Sequence, residues 1–220
     1  MMKEIIQFLS ELRKNNNRDW FNAHKDEYKK LQTYFETQVD ALIQRMQVYD
    51  KDLSGLDAKN CMYRIYRDIR FSSDKTPYKT HFAAYMAKGG RSSLRAGYYL
   101  HIEPGNCLVS GGVWCPEPKL LKALRQSVFE NYEEFLSIIE NNKFKKVYPQ
   151  FEGETLKIVP RPFPKDFIYP DLLKRKDYVV LSSKPDSLFL HSDWQDEVID
   201  NFRVLMPFNE FLNYTVDELV

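Results

Sequence analysis

With 220 residues and 43% hydrophobic side chains, the chain is long enough to bury a sizeable core in one large domain. Its three cysteines, Cys61, Cys107 and Cys115, are odd in number and form no C-x-x-C pair, which excludes a disulfide framework and a zinc knuckle. The net charge of +1 hides an uneven distribution. Residues 61–96 carry Arg64, Arg67, Arg70, Lys75, Lys79, Lys88, Arg91 and Arg95 against Asp68 and Asp74, whereas from Asp186 onward acidic residues face Arg203 alone.

At the start of the chain, Ile5, Ile6, Phe8, Leu9 and Leu12 recur at helical spacing, and the run Asn15 to Asn17 ends that helix. Lys3, Glu4 and Glu11 interrupt its apolar stretch, so neither a signal peptide nor a membrane span is expected, and the expected location is the cytoplasm. Asp19 reads as the N-cap of a second, longer helix whose buried stripe is Tyr28, Leu31, Phe35, Val39, Leu42, Met46 and Tyr49. Residues 50–59 form a connection.

From Met62 the period changes to two, and the chain is expected to stay mostly extended as far as Trp114. Residues 63–71 read as a strand with Tyr63, Ile65, Arg67, Ile69 and Phe71 on one side and Arg64, Tyr66, Asp68 and Arg70 on the other. Pro77 and Asp74 shape the following loop, and HFAAYM gives a short strand. The segments GYYLHIE and CLVSGGVW, joined by Pro104-Gly105-Asn106, make a β-hairpin that places Tyr99, His101 and Glu103 on one face. Gly111 and Gly112 within it mark a bulge or a close approach by another backbone or ligand.

Pro118 opens a helix bearing Leu120, Leu121, Leu124 and Val128, and a second helical stretch bears Phe135, Leu136, Ile138 and Ile139. Residues 148–177, rich in proline, predict an irregular wrap with a short strand near 156–159 and a helical turn after Pro170. YVVLS is a further strand, and Ser192 with Gln195 forms a capping box for a last helix that Pro207 interrupts. Helices before and after hairpin-linked strands predict an α+β fold: a mainly antiparallel sheet from the central region, packed by N-terminal and C-terminal helices, as a single domain over residues 1–220.

The segments RIYRDIRFSSDKTPYKTHF, YYLHIEPGNCLVSGGVW and PEPKLLKALR together resemble the bacterial family DUF2461, a domain of unknown function, over nearly the whole chain. The resemblance implies a fold and carries over no activity, cofactor or catalytic residue.

Site chemistry therefore rests on the residues themselves. Arg64, Arg70, Lys75, Lys79 and the Tyr78 hydroxyl can converge on an anion, because the planar guanidinium fork matches carboxylate and phosphate oxygens. The scaffold alternative pairs Arg64 and Arg70 with Asp68, with Glu103 or with the acidic C-terminal helix. Asp68, His81 and Glu103 are the candidates for proton transfer, and His101 shares a strand face with Glu103. Because H-x-E is a weak pattern and no third ligand stands at a spacing set by the sequence, no metal and no cofactor are assigned. No phosphate-loop motif occurs, and no His and acid stand at a recognisable spacing from Cys107 or Cys115.

These readings combine into one expectation: a polar cleft on the sheet, with Arg64, Tyr66, Asp68, Arg70, His101 and Glu103 as its face and residues 75–79 as its lid, for a small anionic ligand. Tyrosines interleaved with arginines keep nucleic acid as an alternative partner, ranked behind the small anion because the pI is near 7.7. A purely structural ion network is the third reading.

Overall fold

The computed structural model describes residues 1–219. Helix α1 (Met2–Lys14) buries Ile5, Phe8, Leu9 and Leu12 and ends at Asn15, as its spacing predicts. The next expected helix is two. Asn17, not Asp19, caps α2 (Arg18–Ala23) by accepting a hydrogen bond from the Trp20 amide. The His24 ring then takes up the Trp20 carbonyl at 2.8 Å and stacks on the indole, and α3 (Lys25–Met46) begins beyond it. The α3 stripe from Tyr28 to Met46 is buried; Tyr49 lies past the helix end and is exposed.

A short α4 (Ala58–Cys61) leads into residues 62–81, where the expected strand over 63–71 does not form. Two isolated antiparallel bridges, Met62 with Ala84 and Tyr66 with Tyr78, stand in its place. The alternation is real but the pairing is local. The Asp68 carboxylate binds the Arg70 amide and side chain, and Asp74 accepts from the Thr76 amide at 2.9 Å, so side chains compete with ladder formation for the backbone. The expected oily face is mostly absent too: Ile65 is buried, whereas Phe71 is 95% exposed.

Strands β1 (Phe82–Met86), β2 (Gly97–Ile102) and β3 (Cys107–Val113) follow as read, with the turn closed by the Asn106 amide on the Glu103 carbonyl at 2.9 Å. Pro118 starts α5 (Pro118–Glu130), which is followed by α6 (Tyr132–Ile139) and α7 (Asn142–Val147). The short strand of the proline-rich wrap is β4 (Phe151–Glu152), not 156–159, and it pairs antiparallel with β5 (Tyr178–Lys184) after the helical turn α8 (Pro170–Lys174). Helix α9 (Trp194–Leu219) passes through Pro207 without stopping. Pro207 is exposed, while Phe202, Leu205, Phe208 and Leu212 on the other face stay buried and hold the helix in place. The sheet is antiparallel in the order β1-β2-β3-β5-β4, and the fold is α+β. No described helix is long and apolar enough to cross a membrane.

The chain divides into two compact units, one of Met1–Arg91, Tyr99–Val109 and Ser183–Asp200, the other of Ser92–Tyr98, Ser110–Ser182 and Asn201–Val220. In the first, α1 and α3 pack together and the α3 ring of Phe35 lies 5.4 Å from Phe82 of β1. In the second, Phe135, Phe144, Phe208 and Tyr178 form the aromatic centre, and Leu205 of α9 reaches the backbone of β3. A Cβ at Gly111 would stand 2.3 Å from the Gly97 carbonyl oxygen, and one at Gly112 2.0 Å from that of Tyr178. Close backbone approach is therefore what the two glycines serve. Each fully buried Phe or Leu contributes about 1.5–3 kcal/mol, against less than about 1 kcal/mol for an exposed ion pair, so these cores set the positions of the charged groups.

Candidate functional site

The site forms in the first unit, where residues 62–81 fold back on themselves. Hydrogen bonds from the Lys79 amide to the Ile65 carbonyl (2.7 Å) and from the Arg67 amide to that of Pro77 (3.0 Å) close this loop. Asn16, just past α1, anchors it by accepting from the Tyr78 amide and donating to the Tyr78 carbonyl. Tyr78 itself is 4% exposed and stacks on Phe21 with ring centres 3.9 Å apart. The loop is thus clamped to α1 and α2, and the chain leaves it directly into β1.

Because β1 lies beside β2, His81 arrives next to His101, with ring centres 4.3 Å apart. Alternation along β2 puts Tyr99, His101 and Glu103 in a chain: the Tyr99 hydroxyl meets His101 Nδ1 at 2.9 Å, and His101 Nε2 meets Glu103 Oε2 at 3.2 Å. Glu103 is the most heavily engaged group. Its Oε1 accepts from Thr80 at 2.7 Å and from Arg13 at 3.1 Å, and its Oε2 also accepts from Asn106 at 2.9 Å. The His81 ring forms no hydrogen bond among the described residues.

Electrostatics follow from burial and these bonds. Burial lowers the His81 pKa to about 4, helped by the neighbouring His101 and Lys79 and opposed by Glu103. Burial likewise lowers that of His101, against the hydrogen bond and charge of Glu103, which act to raise it. Both rings are neutral near pH 7, so the contact of His101 with Glu103 is a hydrogen bond between a neutral donor and a carboxylate. For Glu103 burial opposes ionisation, but the hydrogen bonds from Asn106, Thr80 and His101 outweigh it and bring the carboxyl to about 2. With His101 in its other tautomer (the proton on Nδ1), the Nε2 lone pair, the His81 ring and the Glu103 carboxylate form a set of donors able to accept a metal cation.

An open cleft of about 590 Å³ lies along the loop, lined by Arg13, Arg67 and Lys79 as its cations, Asp68 and Asp74 as its anions, and His81 of the cluster. Arg67 is held by Asp74 and Thr76. Lys79 makes no ion pair among the described residues; its ammonium sits 5.2 Å from the centre of the Tyr63 ring, and burial together with the charge of Arg64 lowers its pKa.

The site candidates therefore scatter. Asp68, Tyr78, Lys79 and His81 line the cleft, and His101 and Glu103 stand behind His81. Arg70 pairs with Asp68 at 2.7 Å, and both are exposed. Lys75 donates to the Ile69 carbonyl, and Tyr66 is 45% exposed with its ring near Phe21 and Tyr78. Arg64 is exposed and makes no hydrogen bond or ion pair among the described residues. In place of Arg64 and Arg70, Glu103 holds Arg13 and His101, while acids of the C-terminal region pair elsewhere: Asp196 with Arg45, Glu197 with Lys184, Asp217 with Arg95. Sequence reasoning missed Arg13, Asn16, Thr80 and Asn106. Asn106 stands three residues after Glu103 in a turn and Thr80 directly before His81, which are weak local signals; Arg13 is 90 residues away from Glu103 and offers none.

No curated protein and no solved structure matches the chain. The family of conserved hypothetical proteins DUF2461 does match, over residues 4–211, which takes in the loop, the hairpin and every residue of the cluster. With all but the two ends of its sequence covered, this chain belongs to the DUF2461 family.

Proposed function

We propose that the cleft binds a small anionic ligand bearing phosphate or carboxylate. The observation that carries this reading is the set of cations on the cleft wall: Arg13, Arg67 and Lys79 line it together, and Lys79 makes no ion pair among the described residues. Like charges gathered on one wall disfavour each other, and an anion bound among them relieves the repulsion. Arg13 and Arg67, each already oriented by a carboxylate, supply fixed N–H donors along the same cleft.

The test uses protein treated with EDTA and titrated with inorganic phosphate, pyrophosphate or malonate at constant ionic strength, following thermal unfolding. At a hundredfold excess over Kd, one site adds about 2.7 kcal/mol of stability. For a chain of this size that corresponds to a rise in Tm of about 5–10 °C. The shift is expected to fall by more than half in Lys79→Ala. No shift with any of the three anions, or an undiminished shift in Lys79→Ala, overturns the reading.

A further inference from the structure

We infer that His81, His101 and Glu103 form a binding site for a first-row divalent transition-metal ion, facing the cleft. One ligand atom from each residue lies within 4.8 Å of the other two, and the Nε2 to Oε2 pair is already at 3.2 Å. Nitrogens and oxygens bound 2.0–2.1 Å from one tetrahedral ion stand about 3.3 Å apart, so the closing movement falls to the His81 ring. That ring is free to make it: it is half-buried and holds no hydrogen bond that the movement must break.

The surroundings are those of a ligand set more than of a proton store. A metal-bound imidazole usually donates its second N–H to a fixed acceptor, and the Tyr99 hydroxyl stands at His101 Nδ1 in that place. With the proton on Nδ1, the Nε2 lone pair points toward Glu103 Oε2, and a cation replaces the proton that otherwise bridges them. Glu103 keeps its bonds from Arg13 and Thr80 on the other oxygen, so its orientation survives the exchange. His81 lines the open cleft, and three protein ligands leave further coordination positions to water or to a bound molecule, as catalytic and not structural sites do. Two imidazoles with one carboxylate favour Zn²⁺, Fe²⁺ or Co²⁺ over the hard cations Mg²⁺ and Ca²⁺. In the sequence His81 stands 20 positions before His101, at no spacing that marks it as a ligand; only the pairing of β1 with β2 brings it in.

This proposal stands without the anion reading, and its experiment uses none of those anions. Metal-free protein in a chloride buffer is titrated with Co²⁺ by calorimetry and by the visible ligand-field spectrum. One equivalent is expected to bind per chain, with a spectrum showing nitrogen ligands and fewer than six-coordinate geometry. His81→Ala, which removes no hydrogen bond, is expected to keep the wild-type Tm and to weaken binding at least about a hundredfold. Tyr99→Phe, which removes only the outer partner, is expected to weaken it about ten- to a hundredfold. His24→Ala, outside the cluster, should bind as wild type. The proposal is overturned if wild-type protein binds no Co²⁺, or if His81→Ala binds it undiminished.

Discussion

At the scale of single residues, burial separates the three cysteines. Burial pushes the thiol pKa of Cys61 and of Cys107 up to about 12; nearby carboxylates add to this at both, and at Cys107 the hydrogen bond to the Glu103 carbonyl opposes it. At pH 8 both thiols are overwhelmingly protonated. Cys115 is exposed, and although its pKa is also raised, reagent can reach it. Iodoacetamide at pH 8 followed by peptide mass spectrometry is therefore expected to find Cys115 alkylated first, with the other two protected and their labelling rising as the pH is raised. Rapid alkylation of Cys107 in folded protein would show its surroundings to be wrong. The same scale explains the histidines: a period of two put His101 and Glu103 on one face, but nothing in the spacing of His81 announced its neighbour.

At the scale of elements, the hairpin of β2 and β3 was legible because everything that makes it is local: alternation on both sides and a Pro-Gly-Asn turn between them. Helices α1 and α5 were legible for the same reason, through apolar spacing and a clear stop or start. The stretch 63–71 has equally good alternation yet is not a strand, because Asp68 and Asp74 spend their oxygens on neighbouring backbone and arginines. In α9 the outcome is reversed: Pro207 signals a break, and the buried side chains on either side of it hold the helix together. Gly112 tests how tightly such elements are packed. Its φ of 113° and the 2.0 Å approach of its missing Cβ to the Tyr178 oxygen make alanine doubly unfavourable there. Gly112→Ala is expected to cost about 3 kcal/mol or more, a fall in Tm of about 6–12 °C. Gly105→Ala, at φ 76° with open space around it, is expected to cost about 1–2 kcal/mol. Circular dichroism melts of both variants decide the matter, and equal melting temperatures would sink the packing argument.

At the scale of the whole molecule, the strongly basic window of the sequence is largely compensated. Arg67 pairs with Asp74, Arg70 with Asp68, Lys88 with Asp52 and Arg95 with Asp217. Among the described residues of that window, Arg64, Lys75, Lys79 and Arg91 are the cations without a carboxylate. Four phosphate contacts give a slope of log K against log salt no steeper than about −3 on a single strand. Fluorescence anisotropy with single-stranded DNA at several salt concentrations is expected to show weak binding within that slope. A slope steeper than about −6 would reveal a nucleic-acid surface and displace the small-anion reading.

By itself the sequence determined the α+β fold, the hairpin, the family and the stretch of chain in which a site had to lie, because local spacing, turn residues and a long motif suffice for these. Only the tertiary structure decided which charged groups meet. Arg70 turned to Asp68 two residues away, Arg64 forms no ion pair among the described residues, and Glu103 took Arg13 from α1 and stood with His81 from the edge of β1. Such partners lie tens of residues apart, and their meeting depends on how strands pair and helices pack, which no short-range pattern encodes.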